Sequence, residues 1–345
     1  MTLKLVFTSS DERDPAFNFL QDSLLKINGA FEYVTIEVHN DPNLVDYSNY
    51  EAALFFKYDE HAAYAKSKNP SLITGVIDPR AAQEQGFRDV DFIAVHDIVA
   101  KDYFSKFSCD ILVHYIYPKV PEKLDCPIEK KQLVLGYHGN MIHMEAMVPR
   151  ITQAIAVLGR EIPLELWAMY NIEKRGQWQS PSHKNLGFSV KHIQYSSENY
   201  ARYMAHVDIG LVPQLIPVRK NRLLRYLIGT LDHRYMEKSK DYLLRFKETT
   251  NIGRHLVFAQ YKIPVVSDMS PAACALIEEG MDGFVAFHTQ SWYRALQSLA
   301  VSSDLRDKMG KRLYEKYKKK YTHEKLNEEL ITLINKLAFK GEKYK

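Results

Sequence analysis

Two basic side chains flank a predicted helix start late in the chain, where they could bind an anion. Lys247 and Arg254 stand on either side of this helix start, and Asn251 lies between them. Because the N-terminus of a helix favours negative groups, a bound phosphate would explain cations at this position. The alternative is that both are solvated surface cations, with Glu248 offsetting part of their charge. The pattern predicts a phosphate site that includes Lys247, Asn251 and Arg254.

Candidate acid–base residues follow two apolar runs in the first half of the chain. Asp78 ends the segment VID, and His96 with Asp97 follows the run FIAV. A histidine or carboxylate at the carboxyl end of a strand could act as a general base or stabilise positive charge that develops during a reaction. The alternative for Asp97 is a cap on the helix that holds Tyr103.

Several other kinds of chemistry are disfavoured. The loop after the first strand reads TSSDERDP rather than G-x-G-x-x-G, which argues against a nicotinamide or flavin cofactor. The chain contains no H-E-x-x-H, G-x-S-x-G or P-loop sequence. The acids of DERD lack the strand context of a metal-binding D-x-D. We therefore expect no cofactor and no catalytic metal, with leaving-group charge met by cations and helix N-termini.

Composition narrows the class of protein further. The 345 residues suit two domains, and 46% hydrophobic with 26% charged residues is typical of a globular protein. A net charge of +4 gives no indication of a nucleic-acid partner. No apolar run approaches the ~20 residues of a membrane span, and the N-terminus lacks a signal-peptide pattern. Cys109, Cys126 and Cys274 form no metal or disulfide spacing, so we expect a cytoplasmic protein.

Residues 1–128 are predicted to form a first α/β domain. Short apolar runs alternate with helices or brief connections, which is typical of a parallel sheet covered on both faces. Asp14 and Pro15 predict the start of the first helix. The predicted strands are Leu3–Phe7, Tyr33–Val38, Ala52–Phe56, Leu72–Ile77, Phe92–Val95 and Ile111–Ile116.

Residues 129–322 are predicted to form a second domain, after a proline-rich linker at 118–129. Its strands are expected at 132–137, 164–168, near Ile193, at 209–212, 263–266 and 284–287, with one helix over 146–158. Thr249 or Thr250 would cap the helix that holds Arg254. Ser270 would cap the next helix, with Pro271 in its first turn and Gly280 just past its end. Two helix N-termini thus lie at the carboxyl ends of buried strands, where α/β sheets bind ligands.

Two segments depart from this alternation. A basic stretch at about 215–246 is too long for an ordinary connection, and it reads as an insertion. It could be a solvated amphipathic excursion, a lid over a ligand, or a surface for peripheral contact with anionic lipid. The tail at 323–345 is an amphipathic helix with Leu326, Leu330, Ile331 and Ile334 on one face.

The second half of the chain resembles a known family. The resemblance is carried by IPVVSD, SPAACALIEEGMDGFVAF and SWYRALQSLAVSSDLRDKMGKRLYEKYKKKYT. These segments are similar to the donor half of GT-B glycosyltransferases, above all the retaining glycosyltransferase family four and its relatives. The resemblance implies an α/β GT-B fold, with two Rossmann-like domains facing across a cleft and a C-terminal helix that returns to the N-terminal domain. It covers about residues 132–322.

The family also implies donor-binding positions. Gly139 and Asn140 match its small-residue loop near the sugar and diphosphate, after the first strand of the second domain. His143 falls near a position that relatives fill with a Lys, His or Arg close to phosphate, and the alternative is a helix-start histidine without a ligand. Pro213 ends an element, HVDIGLVPQ, that lines the cleft or supports the fold in relatives. Glu278 matches an acidic position of the family.

One departure concerns the helix that holds Arg254. The family usually carries a pair of glutamates ahead of the Pro-Val-Val run, but Thr249 and Val257 occupy those positions here. The contacts that those glutamates make to ribose and donor sugar cannot be carried over. The identity of the donor and the retaining stereochemistry are therefore left open.

Taken together, the sequence predicts a glycosyltransferase that moves a sugar from a nucleoside diphosphate sugar to a hydroxyl acceptor. The expected acceptor is a carbohydrate or lipid-linked glycan, and the expected reaction is metal-independent and retaining. Two alternatives stay open: a nucleotide-sugar epimerase or hydrolase on the same fold, and a non-catalytic binding or assembly subunit.

Overall fold

The computed structural model describes residues 2–9, 14–80, 87–122, 130–178, 188–214 and 251–342. Lys247 and the predicted basic insertion at 215–246 lie outside these ranges. The described residues divide into two compact units. The first unit comprises the residues up to 119, Asn251 and the residues from 319 onward. The second comprises residues 120–214 and 252–318.

The first unit is built on a six-stranded sheet in which every strand pair is parallel. The strand order is β2-β1-β3-β4-β5-β6. Three central strands are buried along their whole length, as expected for a sheet covered on both faces. The strands are β1 (Leu3–Thr8), β2 (Val34–His39), β3 (Ala52–Phe56), β4 (Ile73–Ile77), β5 (Phe92–Val95) and β6 (Asp110–Val113).

Helices cover this first sheet. The Asp14 carboxylate accepts a hydrogen bond from the Ala16 amide and caps the first helix, as predicted. The last helix packs against the first two helices and β4, with Leu330, Ile331 and Ile334 buried in the core. The helices are α1 (Pro15–Leu24), α2 (Ile27–Ala30), α3 (Ala62–Lys68), α4 (Ile98–Phe104) and, at the end of the chain, α13 (His323–Glu342). Short 3-10 turns occupy Pro42–Leu44, Tyr47–Asn49 and Phe87–Asp89.

The second unit contains another all-parallel six-stranded sheet, in the order β12-β11-β10-β7-β8-β9. Its strands are β7 (Leu133–His138), β8 (Leu164–Tyr170), β9 (Ser189–Gln194), β10 (Ile209–Val212), β11 (Val265–Asp268) and β12 (Phe284–Ala286). The two Rossmann-like sheets predicted from the sequence are therefore confirmed.

The helices of the second unit alternate with its strands. They are α5 (Ile142–Met147), α6 (Arg150–Leu158), α7 (Ile172–Arg175), α8 (Ser197–Arg202), α9 (Gly253–Gln260), α10 (Pro271–Leu276), α11 (Thr289–Val301) and α12 (Ser303–Lys320). A 3-10 turn occupies Met204–His206. Within the described ranges, no helix combines the length and apolar character needed to cross a bilayer.

Some predicted boundaries were wrong, each for a local reason. The single helix expected over 146–158 is two helices, because Pro149 lacks an amide hydrogen and holds Val148 in an extended conformation. Strand β11 begins at Val265 rather than Ile263, because the Ile263 amide bonds back to Phe258 in the turn after α9. Gly280 lies in a turn before β12 rather than just past α10, which ends at Leu276 with Ile277 as its C-cap.

Candidate active site

The carboxyl edge of the second sheet gathers most of the predicted donor-binding residues. Strands β7 and β10 are neighbours there, and the strand order reverses between them. Ligands of open α/β sheets bind at such a switch point. Gly139 follows β7, Pro213 follows β10, and the first turn of α9 supplies Arg254. Packing thus brings together three positions that are far apart in sequence.

Gly139 and Arg254 are in close contact at this edge. The backbone φ of Gly139 is +129°, and a Cβ there would lie 3.1 Å from Cδ of Arg254. The guanidinium of Arg254 is fixed at one end, where its Nη1 donates a 2.7 Å hydrogen bond to the carbonyl of Pro213. A side chain at position 139 would therefore push against the arginine, which explains the glycine.

The guanidinium of Arg254 is half-buried, and the nearby charge of Asp268 acts on it without a salt bridge between the two. Burial lowers the pKa of Arg254, and within the described residues no salt bridge joins it to a carboxylate. The Nη2 atom lies 3.4 Å from Nδ1 of His143. Burial, and then the charge of Arg254, hold the pKa of His143 well below its usual value, so the imidazole is neutral and presents Nδ1 as an acceptor. The guanidinium is therefore a cation to which an anion could bind directly.

His138, which was not predicted from the sequence, contacts the backbone of Arg254. Its Nε2 lies 3.2 Å from the backbone carbonyl of Arg254, and its Nδ1 lies 3.0 Å from the hydroxyl of Tyr200. A carbonyl only accepts, so Nε2 carries the proton and Nδ1 accepts from the tyrosine. Burial and the nearby Arg254 lower the pKa of His138 to about 3. This neutral histidine fixes the first turn of α9.

A second cluster, around Asp268, follows β10 and β11. Its buried carboxylate accepts a 2.6 Å hydrogen bond from Nη1 of Arg150 and a 2.8 Å bond from the amide of Gln214. Ser270 caps α10 as predicted and also donates to the side-chain oxygen of Gln214. Asp268, Gln214 and Arg150 were missed, although Asp268 ends β11 and Gln214 lies two residues after β10.

Other predicted donor-site residues lie elsewhere. The side chain of Asn140 is exposed, and its Oδ1 accepts from the Ile142 amide at 3.2 Å, so it shapes its own turn. Asn251 belongs to the first unit, where its Nδ2 donates to the carbonyl of Ile116 at 2.9 Å. Glu278 is exposed in the connection between α10 and β12, which precedes the amino end of that strand.

The predicted acid–base residues meet at the carboxyl edge of the first sheet. Nδ1 of His96, after β5, lies 3.4 Å from Oδ1 of Asp78, after β4. Arg80, which the sequence reasoning missed, lies on the other side of Asp78 at 3.1 Å. The Asp97 carboxylate accepts a 2.7 Å bond from the Ala100 amide and caps α4, as the alternative interpretation proposed. Within the described residues, no group of three or more His, Cys, Asp or Glu side chains is arranged to hold a metal ion.

Comparison with solved structures finds the same architecture in known proteins. Sucrose-phosphate synthase from Thermosynechococcus elongatus has a TM-score of 0.62 and 9% identity over 98% of this chain and 99% of its own. HepE from Anabaena, in complex with UDP, has a TM-score of 0.59 and 10% identity over 97% of this chain and 100% of its own. TarM from S. aureus, solved as a mutant with UDP, has a TM-score of 0.53 and 11% identity over 82% of this chain. This chain spans only 55% of TarM.

This chain has the GT-B fold. The fold class predicted from the sequence is thus confirmed by structural likeness at identities of 9–11%. At the level of sequence, no protein-family model and no curated protein matches the chain. Likeness at this distance establishes the GT-B fold, while the activity must be argued from the residues at the two sheet edges.

Proposed function

We propose that this GT-B protein transfers a glycosyl group from a nucleoside diphosphate sugar to a hydroxyl acceptor. The observation that carries the proposal is Arg254, a half-buried guanidinium without a carboxylate partner in the described residues, placed against Gly139 at the switch point of the second sheet. Two structural neighbours are complexes with UDP, which supports a nucleoside diphosphate as the group that fits there.

The chemistry of the leaving group suits this residue. When the bond from the anomeric carbon to the diphosphate oxygen breaks, negative charge develops on that oxygen. Arg254 would meet this charge with hydrogen bonds from a rigid, permanently charged fork. The neutral ring of His143 beside it adds no second cation, so we propose Arg254 as the principal charged contact of the diphosphate. A reaction without a catalytic metal is part of this proposal.

We propose that the acceptor hydroxyl is handled at the first sheet by His96 and Asp78. With Nδ1 of His96 facing Asp78, the carboxylate would orient the imidazole ring. His96 would take the proton of the attacking hydroxyl while the hydroxyl oxygen forms the new bond to the anomeric carbon. Asp97 serves as a helix cap in this scheme. Retention at the anomeric carbon, which the family resemblance suggests, would require the hydroxyl to attack on the face from which the diphosphate leaves.

The test is binding of nucleotides to the wild type and to Arg254→Gln, followed by thermal unfolding. We expect one of UDP, GDP or dTDP, or its sugar, to raise the melting temperature of the wild type. At a ligand concentration of 100 times Kd the stabilisation is about 2.7 kcal/mol. Arg254→Gln should weaken this binding by roughly 10- to 100-fold, because hydrogen bonds to a charged group contribute about 1.5–3 kcal/mol.

Arg306→Gln is the matched control. Arg306 is also half-buried, and its Nη1 likewise donates a 2.7 Å bond to a carbonyl, that of Leu299. Arg306→Gln should lose about as much stability as Arg254→Gln and still bind the nucleotide. If no nucleoside diphosphate or its sugar stabilises the wild type, the proposal is wrong. Donor consumption that needs no acceptor would instead identify an epimerase or hydrolase.

A further inference from the structure

The carboxyl edge of the first sheet has its own switch point, between β1 and β3. Polar residues follow neighbouring strands along this edge: Thr8 ends β1, Lys57 follows β3, and Asp78 with Arg80 follows β4. Adjacent strands are about 4.8 Å apart, so these side chains span on the order of 10 Å. They form a continuous polar strip around the proposed acid–base pair, and we call it the first-edge strip.

Two members of this strip have polar atoms that are buried without satisfaction. Thr8 is 1% exposed and Arg80 is 5% exposed. In the part of the chain that the structure describes, Oγ1 of Thr8 and Nη1 of Arg80 have no hydrogen-bond partner. The Nη1 atom lies 3.1 Å from Oδ2 of Asp78, but without the geometry of a hydrogen bond. Because unpaired buried donors are costly, they indicate a ligand that supplies acceptors.

The backbone of the strip is also strained. Lys57 and Asp78 have φ angles of +68° and +56°, a left-handed conformation that non-glycine residues rarely adopt. Each such residue costs of the order of 1–3 kcal/mol, and such residues concentrate at ligand sites. The two lie directly after neighbouring strands, at the edge that carries the unsatisfied atoms, and the other described non-glycine residue with a positive φ, Lys262, belongs to the second unit.

The charges of the strip cancel. The ammonium of Lys57 contacts the carboxylate of Asp14, and the guanidinium of Arg80 pairs with Asp78. A phosphate or carboxylate brought here would add an unbalanced negative charge beside Asp78 at a buried position, which is unfavourable. A hydroxyl group both donates and accepts, so it can satisfy Arg80, Thr8 and Asp78 without adding charge.

We infer that the first-edge strip binds an uncharged, hydroxyl-rich sugar unit, with Thr8 and Arg80 as direct contacts. This inference rests on the proposed function and names the class of its acceptor. One ring hydroxyl accepts from Arg80 and donates to Asp78, and another exchanges a hydrogen bond with Thr8. The reacting hydroxyl is thereby held next to His96. The acceptor's recognised unit is a neutral pyranoside rather than a phosphorylated or acidic sugar.

The test is saturation-transfer NMR of the full chain with methyl pyranosides of glucose, galactose, mannose and N-acetylglucosamine. The 6-phosphates of the same sugars and glucuronate are the charged comparison set. We expect at least one neutral pyranoside to bind, and its 6-phosphate to bind about tenfold more weakly or not at all. Thr8→Val and Arg80→Gln should each weaken binding of that pyranoside about tenfold, the loss expected for one or two hydrogen bonds.

Thermal unfolding of Thr8→Val separates a ligand contact from a structural role. Valine replaces a hydroxyl that has no partner, so the melting temperature should stay unchanged or rise while sugar binding falls. Thr152→Val is the matched control. Thr152 is also buried, but its hydroxyl donates a 2.9 Å bond to the carbonyl of Pro149, so this variant should lose stability and keep sugar binding.

The outcomes distinguish this inference from the proposed function. If a nucleoside diphosphate stabilises the protein but no neutral pyranoside binds, or a sugar phosphate binds more tightly, the inference is wrong and the proposed function stands. The inference also fails if Thr8→Val lowers the melting temperature and leaves sugar binding intact. If no nucleotide binds, the proposed function fails whatever the sugars do.

Discussion

Arg254 and Gly139 depend on each other at the scale of single residues. The arginine supplies charge, and the glycine supplies the space in which the arginine lies. Arg254 lies in the first turn of a helix, where cations are normally disfavoured, and this position indicated an anion site in the sequence. The missing glutamates at Thr249 and Val257 pointed in the same direction, since they left the diphosphate better specified than the sugar.

Gly139→Ala should abolish nucleotide-induced stabilisation. The new Cβ would press on Arg254 at 3.1 Å, and a φ of +129° is strained for alanine. Gly176→Ala is the control, because Gly176 also has a positive φ, +73°, but no atom lies within 4 Å of its Cβ position. We expect both variants to lose about 1 kcal/mol or more of unfolding free energy from backbone strain. Only Gly139→Ala should lose the thermal shift with nucleoside diphosphate, and equal shifts in both variants would contradict the contact.

At the scale of elements, helix α12 packs unusually closely on the turn between α9 and β11. A Cβ at Gly310 would lie 1.9 Å from the carbonyl oxygen of Lys262, which belongs to this turn. The new Cβ would clash with the backbone of Lys262, so no side-chain rotation could relieve the clash. Because the same turn ends the helix that carries Arg254, the packing of α12 also helps to position the site.

Gly310→Ala should therefore destabilise the protein strongly, by about 1–3 kcal/mol or more, since the helix must shift outward. Urea unfolding measures this change. Gly159→Ala serves as the comparison, because Gly159 ends α6 with an ordinary helical φ of −64°. Alanine fits that conformation and should be neutral or add about 0.4–1 kcal/mol. Similar losses in both variants would show that the close approach at Gly310 is not the cause.

At the scale of the whole molecule, both units bury neutral histidines. Burial lowers the pKa of His114 to about 4 and, together with the charge of Lys26, that of His323 to about 3. In the second unit, burial and then Arg254 lower the pKa values of His138 and His255 to about 3. Each of these groups has a pKa of about 6.5 when the chain is unfolded.

Stability should fall as the pH drops below about 6.5. Between that value and the folded pKa values, the unfolded chain binds more protons than the folded one, so the free energy of unfolding rises with pH. Each histidine contributes up to about 1.4 kcal/mol per pH unit in this window. Urea unfolding from pH 7.5 to 4.5 measures how steeply the free energy of unfolding changes with pH. His114→Leu should reduce this slope by the contribution of one histidine. A flat profile from pH 7 to 5 would refute the prediction.

Local sequence patterns predicted most of the strands and several helix starts of this molecule. Apolar runs placed all twelve strands to within a few residues, and Asp14 and Ser270 were recognised as helix caps. Boundaries failed where one residue overrode the pattern, as Pro149 does between α5 and α6. Four predicted donor-binding residues, Gly139, His143, Pro213 and Arg254, lie together at one sheet edge, and their role in binding stays a prediction. Gln214, Asp268 and His138 were missed, because a single residue at a strand end carries no signal of its partners.

By itself the sequence determined most of the elements and the α/β class, because periodicity, capping and composition are local properties of a chain. Only the tertiary structure decided which side chains meet. It set Arg254 against Gly139 across more than a hundred residues, and it buried Thr8 and Arg80 without full satisfaction. Burial and satisfaction are properties of packing, since they depend on what every other segment contributes around an atom. For that reason the preference for a neutral sugar unit could be inferred only from the folded chain.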